Sequence, residues 1–166
     1  MTALTCILGP MSLPVGPVPV SLTNLCVFMS VYVLGWKMGF VSCAGYIMLG
    51  AMGLPVFSGF SGGIAKLLGP TGGYIIGFLP MAIIAGMFAQ KTKNRALQFF
   101  GLVVATALCY GLGTAWYCFQ AQCQLLPALS LCVFPFIPVD LFKIFMAVSA
   151  GPYLKERLNQ AGVGQI

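Results

Sequence analysis

The 166-residue sequence contains two acidic side chains, and Asp140 is the one placed to bind a ligand. It lies three residues before Lys143, within the apolar stretch Phe136-Ile-Pro-Val-Asp-Leu-Phe-Lys143. Residues three apart share a helix face, and ionisable groups inside a membrane are costly enough to mark functional sites. A carboxylate accepts hydrogen bonds from ligand N–H groups, and an ammonium donates to a carbonyl or carboxylate. The pair therefore predicts a polar binding site. Mutual neutralisation, or capping of the helix by Asp140, is the alternative.

Catalytic and metal-binding motifs are absent from the sequence. There is no histidine, and the Gly-rich run 53–74 lacks the Gly-Lys-Ser/Thr ending of a phosphate-binding loop. The seven cysteines form no Cys-x-x-Cys pair, so no cofactor and no zinc, iron–sulfur or haem site is predicted. Cys118 and Cys123 flank a predicted outer loop, where a disulfide is an alternative to two thiols. We therefore expect a chain that is not an enzyme and has no ATPase activity of its own.

Lipid is the natural solvent of this chain. Its residues are 60% hydrophobic and 6% charged, with a mean hydropathy of +1.00, whereas a soluble domain carries about a quarter charged residues. Long apolar runs without period-2 alternation favour helices over a closed barrel. We expect one all-α transmembrane domain, residues 1–166, with about six crossings. The net charge of +6 is scattered over loops, which argues against a nucleic-acid partner.

Hydropathy and helix breakers place the crossings, with the last one interrupted near Pro135-Phe-Ile-Pro138. The predicted spans are 1–13, 22–35, 39–54, 73–90, 96–117 and 125–154. The first is too short to cross about 30 Å of hydrocarbon unaided, so it is truncated or only partial. No cleavable signal peptide is expected, because a basic start and a small-residue cleavage site are missing.

The basic residues predict the orientation of the chain in a cell membrane. Six of the eight lie in the even loops and the C-terminal tail, and two lie on the other side. By the positive-inside rule, both termini are expected to be cytoplasmic. The two groups are Lys37, Lys91, Lys93, Arg95, Lys155 and Arg157 against Lys66 and Lys143.

The outer loops predict the walls and lid of a pocket. They are long, rich in Gly, Pro and aromatic residues, and almost uncharged, and the loop 54–73 is long for a mere connector. Non-helical backbone at membrane depth is tolerated where it lines a cavity. In the same region Gly73 and Gly77 form a small-xxx-small pair, for which packing between helices is sufficient explanation.

Four motifs follow one another along nearly the whole chain. They are Gly16-Pro-Val-Pro-Val-Ser-Leu-Thr-Asn24, Gly53-Leu-Pro-Val-Phe57, Gly69-Pro-Thr-Gly-Gly-Tyr-Ile-Ile-Gly-Phe78 and Phe136-Ile-Pro-Val-Asp-Leu-Phe-Lys143. Together they resemble the BioY family, the biotin-specific S components of energy-coupling factor (ECF) transporters. The resemblance implies a six-helix subunit that captures biotin from outside and associates with a membrane T component and two cytoplasmic ATPases.

The resemblance also implies the site residues. Asp140 and Lys143 would hold the ureido ring or the carboxylate tail of biotin, and the outer loops would close over it. Phe57, Phe60 and Tyr74 would pack the apolar ring. The complete expected set is Asp140, Lys143, Tyr74, Phe57, Ser61, Thr23 and Asn24.

Three alternative functions remain open on the sequence alone. An S component for thiamine or riboflavin keeps the class and changes the ligand, although a cationic ligand favours more acids or an aromatic cage. A membrane assembly protein would have outer loops without a bound solute. An integral membrane enzyme would need catalytic groups that the sequence does not contain.

Overall fold

The computed structural model describes residues 1–13, 19–92, 94–122 and 125–161, which form seven helices and one two-stranded sheet. The all-α expectation therefore holds apart from this small sheet, in which Ser12 pairs antiparallel with Ser21 and Leu13 with Val20. The elements are α1 Thr2–Leu8, β1 Ser12–Leu13, β2 Val20–Ser21, α2 Thr23–Ala51, α3 Ile64–Leu68, α4 Gly72–Lys91, α5 Arg95–Ala121, α6 Leu125–Cys132 and α7 Ile137–Gln160.

Four of the described helices are long and apolar enough to cross a membrane, namely α2, α4, α5 and α7. The expected count of about six crossings is not confirmed. The spans predicted at 73–90 and 96–117 correspond to α4 and α5, each extended by one to four residues at its ends. The predicted break near Pro135-Phe-Ile-Pro138 separates α6 from α7. Helix α3 lies inside the segment predicted to be a loop.

Helix α2 reverses direction at Gly35, which has φ 85° and ψ 171°. Only glycine adopts this backbone region readily, because it has no Cβ. Asn24 and Tyr46 line the same cavity, although a straight helix would hold them about 33 Å apart. A Cβ on Gly39 would lie 3.1 Å from Cα of Val31, eight residues back. Residues 23–34 and 36–51 are therefore two antiparallel arms, close to the two spans predicted there.

Helix α1 covers only part of the predicted span 1–13. It ends at Leu8, and the next residues are Gly9-Pro10 and strand β1. Gly9 sits against backbone, since a Cβ there would lie 2.7 Å from the carbonyl oxygen of Thr5 and 2.9 Å from that of Val56. Seven helical residues span about 10 Å, so α1 crosses a fraction of the bilayer.

Close packing of α4 on α5 depends on small residues in both helices. A Cβ on Gly73 would overlap Trp116, and one on Gly77 would lie 3.0 Å from Sγ of Cys109. From the other side, the ring of Tyr74 fills the space beside Gly113. The Gly73–Gly77 pair therefore packs helices together, as its spacing predicted. This contact holds the first turn of α4 beside α5, where the candidate site lies.

Candidate ligand-binding site

The centre of the site is a buried ion pair in the first turns of α7. Nζ of Lys143 lies 2.8 Å from Oδ1 of Asp140, and the two residues are 6% and 4% exposed. Pro138 suits the start of this helix because its missing N–H would have no partner there. The carboxylate in the first turn is also favoured by the helix dipole. The sequence spacing of three is thus realised as a direct contact.

Two further side chains converge on the other oxygen of Asp140. Asn24 donates from Nδ2 at 3.0 Å, and Tyr110 donates from its hydroxyl at 2.5 Å. These residues come from α2 and α5, so three helices meet at one carboxylate. Oδ1 of Asn24 and the hydroxyl oxygen of Tyr110 can each accept a further hydrogen bond, and both residues line the cavity. The arrangement neutralises Asp140 and orients hydrogen-bond acceptors for a ligand.

Lys143 also connects strand β2 to α7. Its Nζ donates to the carbonyl oxygen of Ser21 at 2.7 Å, in addition to Asp140. An ammonium has three N–H donors, so one is left for another partner. Strand β2 is thereby held over the ion pair, and Pro19, Val20 and Ser21 form one wall of the cavity.

The cavity beside the ion pair has mixed apolar and polar walls. It contains about 660 Å³ of empty space with its open mouth included, of which about 60 Å³ can hold the centre of a water molecule. That is room for only a few water molecules, so the walls lie close together in this conformation. The lining residues that bear on ligand binding are Asn24, Tyr46, Lys66, Thr71, Tyr74, Ile75, Phe78, Tyr110, Phe136, Asp140 and Lys143.

Four of the seven residues expected from the sequence line this cavity: Asp140, Lys143, Tyr74 and Asn24. The hydroxyl of Tyr74 is 3.0 Å from Oγ1 of Thr114, which orients the ring. Thr23 lies behind the lining at 1% exposure and accepts a hydrogen bond from Oγ of Ser21 at 3.0 Å. It thus supports the wall from outside the cavity.

The structure places the other expected residues of the outer loop away from the cavity lining. Phe57 is fully buried and packs edge-on against Tyr46, with ring centroids 5.6 Å apart. Ser61 donates to the carbonyl oxygen of Ser58 at 2.8 Å, which closes the turn that follows Phe57. Phe60, at the tip of this turn, is 70% exposed. Phe57 therefore supports the ring of Tyr46 from behind, and Tyr46 is the aromatic residue that lines the cavity.

Tyr110 and Lys66 are site residues that the sequence analysis missed. Tyr110 lies midway between Thr106 and Thr114 at helical spacing, and this polar stripe in an apolar helix was the available signal. Lys66, in α3, lines the cavity as its second cation. From the sequence, Lys66 was placed in the loop 54–73, predicted to form the walls and lid of the pocket, but was assigned no role in binding.

Two expectations from the sequence concern a metal site and a disulfide. No group of three or more His, Cys, Asp or Glu side chains within the described ranges could hold a metal ion. The suggested pairing of Cys118 with Cys123 lies outside the described residues, because position 123 is not among them.

Comparison with known proteins identifies the family. The family model described as BioY family matches residues 1–160. The chain belongs to the BioY family. The biotin transporter BioY of Thermotoga maritima is 40% identical over 155 residues, covering 93% of this chain and 91% of the relative. The probable biotin transporter BioY of Pyrococcus horikoshii is 42% identical over 146 residues, covering 88% and 86%.

A solved structure agrees with this membership of the BioY family. The crystal structure of the S-component for biotin from an ECF-type ABC transporter matches with a TM-score of 0.85 at 33% identity. The match covers 93% of this chain and 86% of the other. The fold is therefore that of an ECF S component, and the chain is a multi-pass membrane protein. These relatives are named as transporters, in agreement with the expectation that the chain is not an enzyme.

Proposed function

We propose that this chain captures biotin as the substrate-binding subunit of an ECF-type transporter. The observation that carries the proposal is the buried Asp140–Lys143 pair, which lines a cavity in a member of the BioY family. Such a pair matches an electrically neutral ligand group that both donates and accepts hydrogen bonds. The ureido ring of biotin has two N–H donors and one carbonyl, and therefore fits this requirement.

The polar cluster offers a partner for each ureido atom. The third N–H of Lys143 donates to the ureido oxygen. Asp140 already accepts from three side chains, and a carboxylate has about four acceptor sites, so one ureido N–H takes the remaining site. The free acceptors of Asn24 and Tyr110 serve the other N–H. Tyr46, Tyr74 and Phe136 pack the thioether ring from the apolar walls.

Lys66 binds the carboxylate tail in this proposal. The sequence has only two acids, of which Asp140 pairs with Lys143 and Glu156 belongs to the far end of α7. Within the described residues, Lys66 thus lines the cavity without a carboxylate in contact. A charged ligand tail supplies the missing partner. The ligand would then be held at its two polar ends by two different lysines.

Ligand entry requires the cavity walls to separate. The space that holds a few water molecules is too small for a bicyclic ring with a tail. Among the described residues, the side-chain hydrogen bond that joins strand β2 to α7 runs from Lys143 to the carbonyl oxygen of Ser21, and Val20 packs near Phe136. We infer that strand β2 and helix α3, which carries Lys66, move outward to admit biotin and then close over it.

Uphill transport requires energy from partner subunits or an ion gradient, because this chain has no nucleotide-binding motif. A membrane T component with two cytoplasmic ATPases supplies it in this proposal. The turn at Gly35 meets Gln90, and Arg95 meets Val148, so the ends of α4 and α7 share one side of the bundle, opposite the cavity. The basic residues of that side support a cytoplasmic location for it and for the C-terminus.

Equilibrium binding of biotin to the detergent-purified chain tests the proposal. Calorimetric titrations with biotin, thiamine and riboflavin should give tight binding for biotin alone. The double variant Asp140→Asn/Lys143→Ala should lose that binding while its folding is monitored by thermal melting. Binding of thiamine or riboflavin in place of biotin would make the chain an S component for another vitamin. A folded chain that binds none of the three would favour the membrane assembly protein.

A further inference from the structure

A second cavity lies at the opposite end of the bundle from the ion pair. It contains about 740 Å³ of empty space, open mouth included, between the end of α4, the start of α5 and the end of α7. Lys155 in its wall is about 22 Å along α7 from Asp140, because fifteen residues of helix separate them. That separation places the second cavity near the other surface of the membrane.

Arg95 is held in place at this cavity by a proline in α7. Pro152 has no N–H, so the carbonyl oxygen of Val148, four residues earlier, has no partner within its helix. Nη1 of Arg95 donates to that oxygen at 2.6 Å and to the carbonyl oxygen of Ser149 at 3.4 Å. A guanidinium has five N–H donors in a planar fork. The donors on Nε and Nη2 therefore remain for a ligand in the cavity.

The walls of the cavity favour an anion. Among the described residues that line it are Arg95 and Lys155 and no acid, with Gln90 and Thr92 as neutral polar groups. Glu156 lies instead beside Arg157, at a separate depression. Two cations, one of them oriented in advance, match the oxygens of a phosphate group.

We propose that this cavity binds the phosphate of an anionic phospholipid headgroup. The ends of membrane-spanning helices lie at the depth of the lipid phosphates, and basic pockets between such helices bind anionic headgroups. Tyr153, between the lining residues Pro152 and Lys155, is 58% exposed, and Arg157 lies over its ring at 5.1 Å from the centroid. Aromatic residues gather at this interfacial depth. The site is independent of the biotin cavity.

Lipid titration of the intact chain in neutral detergent tests the proposal. Native mass spectrometry would measure the occupancy of phosphatidylglycerol and of phosphatidylcholine with the same acyl chains. The intact chain should prefer phosphatidylglycerol, and Lys155→Gln should weaken that binding about fivefold. The matched control is Lys91→Gln, which removes the same charge from the end of α4 outside the cavity lining and should bind like the intact chain. Biotin binding should be unchanged in both variants.

Three results would overturn the proposal. Equal losses in Lys155→Gln and Lys91→Gln would show that only the general positive charge of this surface attracts the lipid. Equal binding of the two lipids would remove the headgroup charge from recognition. A parallel titration with inorganic phosphate distinguishes a lipid headgroup from free phosphate as the ligand. Saturable displacement of lipid at millimolar phosphate, lost in Lys155→Gln, would assign the site to soluble phosphate. Absence of displacement supports the lipid headgroup.

Discussion

Replacing Asp140 with asparagine should weaken ligand binding at the buried cluster. The carboxylate accepts from Lys143 at 2.8 Å, from Asn24 at 3.0 Å and from Tyr110 at 2.5 Å. In Asp140→Asn one acceptor oxygen becomes an NH₂ donor and the negative charge is lost. Hydrogen bonds to charged groups contribute about 1.5–3 kcal/mol, so biotin affinity should fall about 10- to 150-fold.

The same change should destabilise the fold. Lys143 is 6% exposed, and removing the partner of a buried charge costs about 3–5 kcal/mol. Asp140→Asn/Lys143→Met removes both charges and should recover much of the thermal stability without recovering biotin binding. Melting curves and calorimetric titrations of the two variants therefore report the two effects separately.

Glu156→Gln is the matched control for this prediction. It makes the same carboxylate-to-amide change in the same helix, at an exposed position about 24 Å away, and should leave both measurements unchanged. If Asp140→Asn fails to fold, Tyr110→Phe keeps both charges and removes only one hydrogen bond to the carboxylate. A folded Asp140→Asn chain that binds biotin within about twofold of the intact chain would refute a direct role of Asp140.

Three further predictions concern packing, backbone and the ligand tail. Gly113→Ala should lower the free energy of unfolding by about 1–3 kcal/mol, because the added Cβ would overlap the ring of Tyr74. The control is Gly111→Ala, in open space on the same helix, which should be neutral or slightly stabilising in thermal melts. Gly35→Ala should cost about 1–3 kcal/mol in the same melts because of its positive φ, and an unchanged midpoint would contradict the required reversal of α2. Lys66→Gln should weaken the binding of biotin by up to about fivefold in calorimetry, but it should leave the binding of the uncharged amide of biotin unchanged. Equal losses for the two ligands would show that Lys66 does not bind the carboxylate.

Some long-range contacts of the site had no signal in local sequence patterns. Asn24 was expected at the site only through the resemblance, and its contact with Asp140 joins residues 116 positions apart. Phe57 was expected to line the cavity but lies behind its wall. An aromatic residue in a glycine-rich outer loop is compatible with either position. The ring of Phe57 packs against Tyr46 because Gly50 leaves space there. Residue type and spacing cannot distinguish these two positions.

The sequence by itself indicated that the chain lies in lipid, where the main helices begin and end, and that Asp140 and Lys143 share a helix face. Apolar composition requires lipid, prolines and glycines end helices locally, and a spacing of three brings Asp140 and Lys143 onto one face. The tertiary structure alone decided which helices meet at that pair. Because α2 reverses at Gly35, Asn24 and Tyr46 return to one cavity, and the close α4–α5 contact sets Tyr74 beside the helix that carries Tyr110. These contacts depend on packing between distant segments, which local periodicity does not encode.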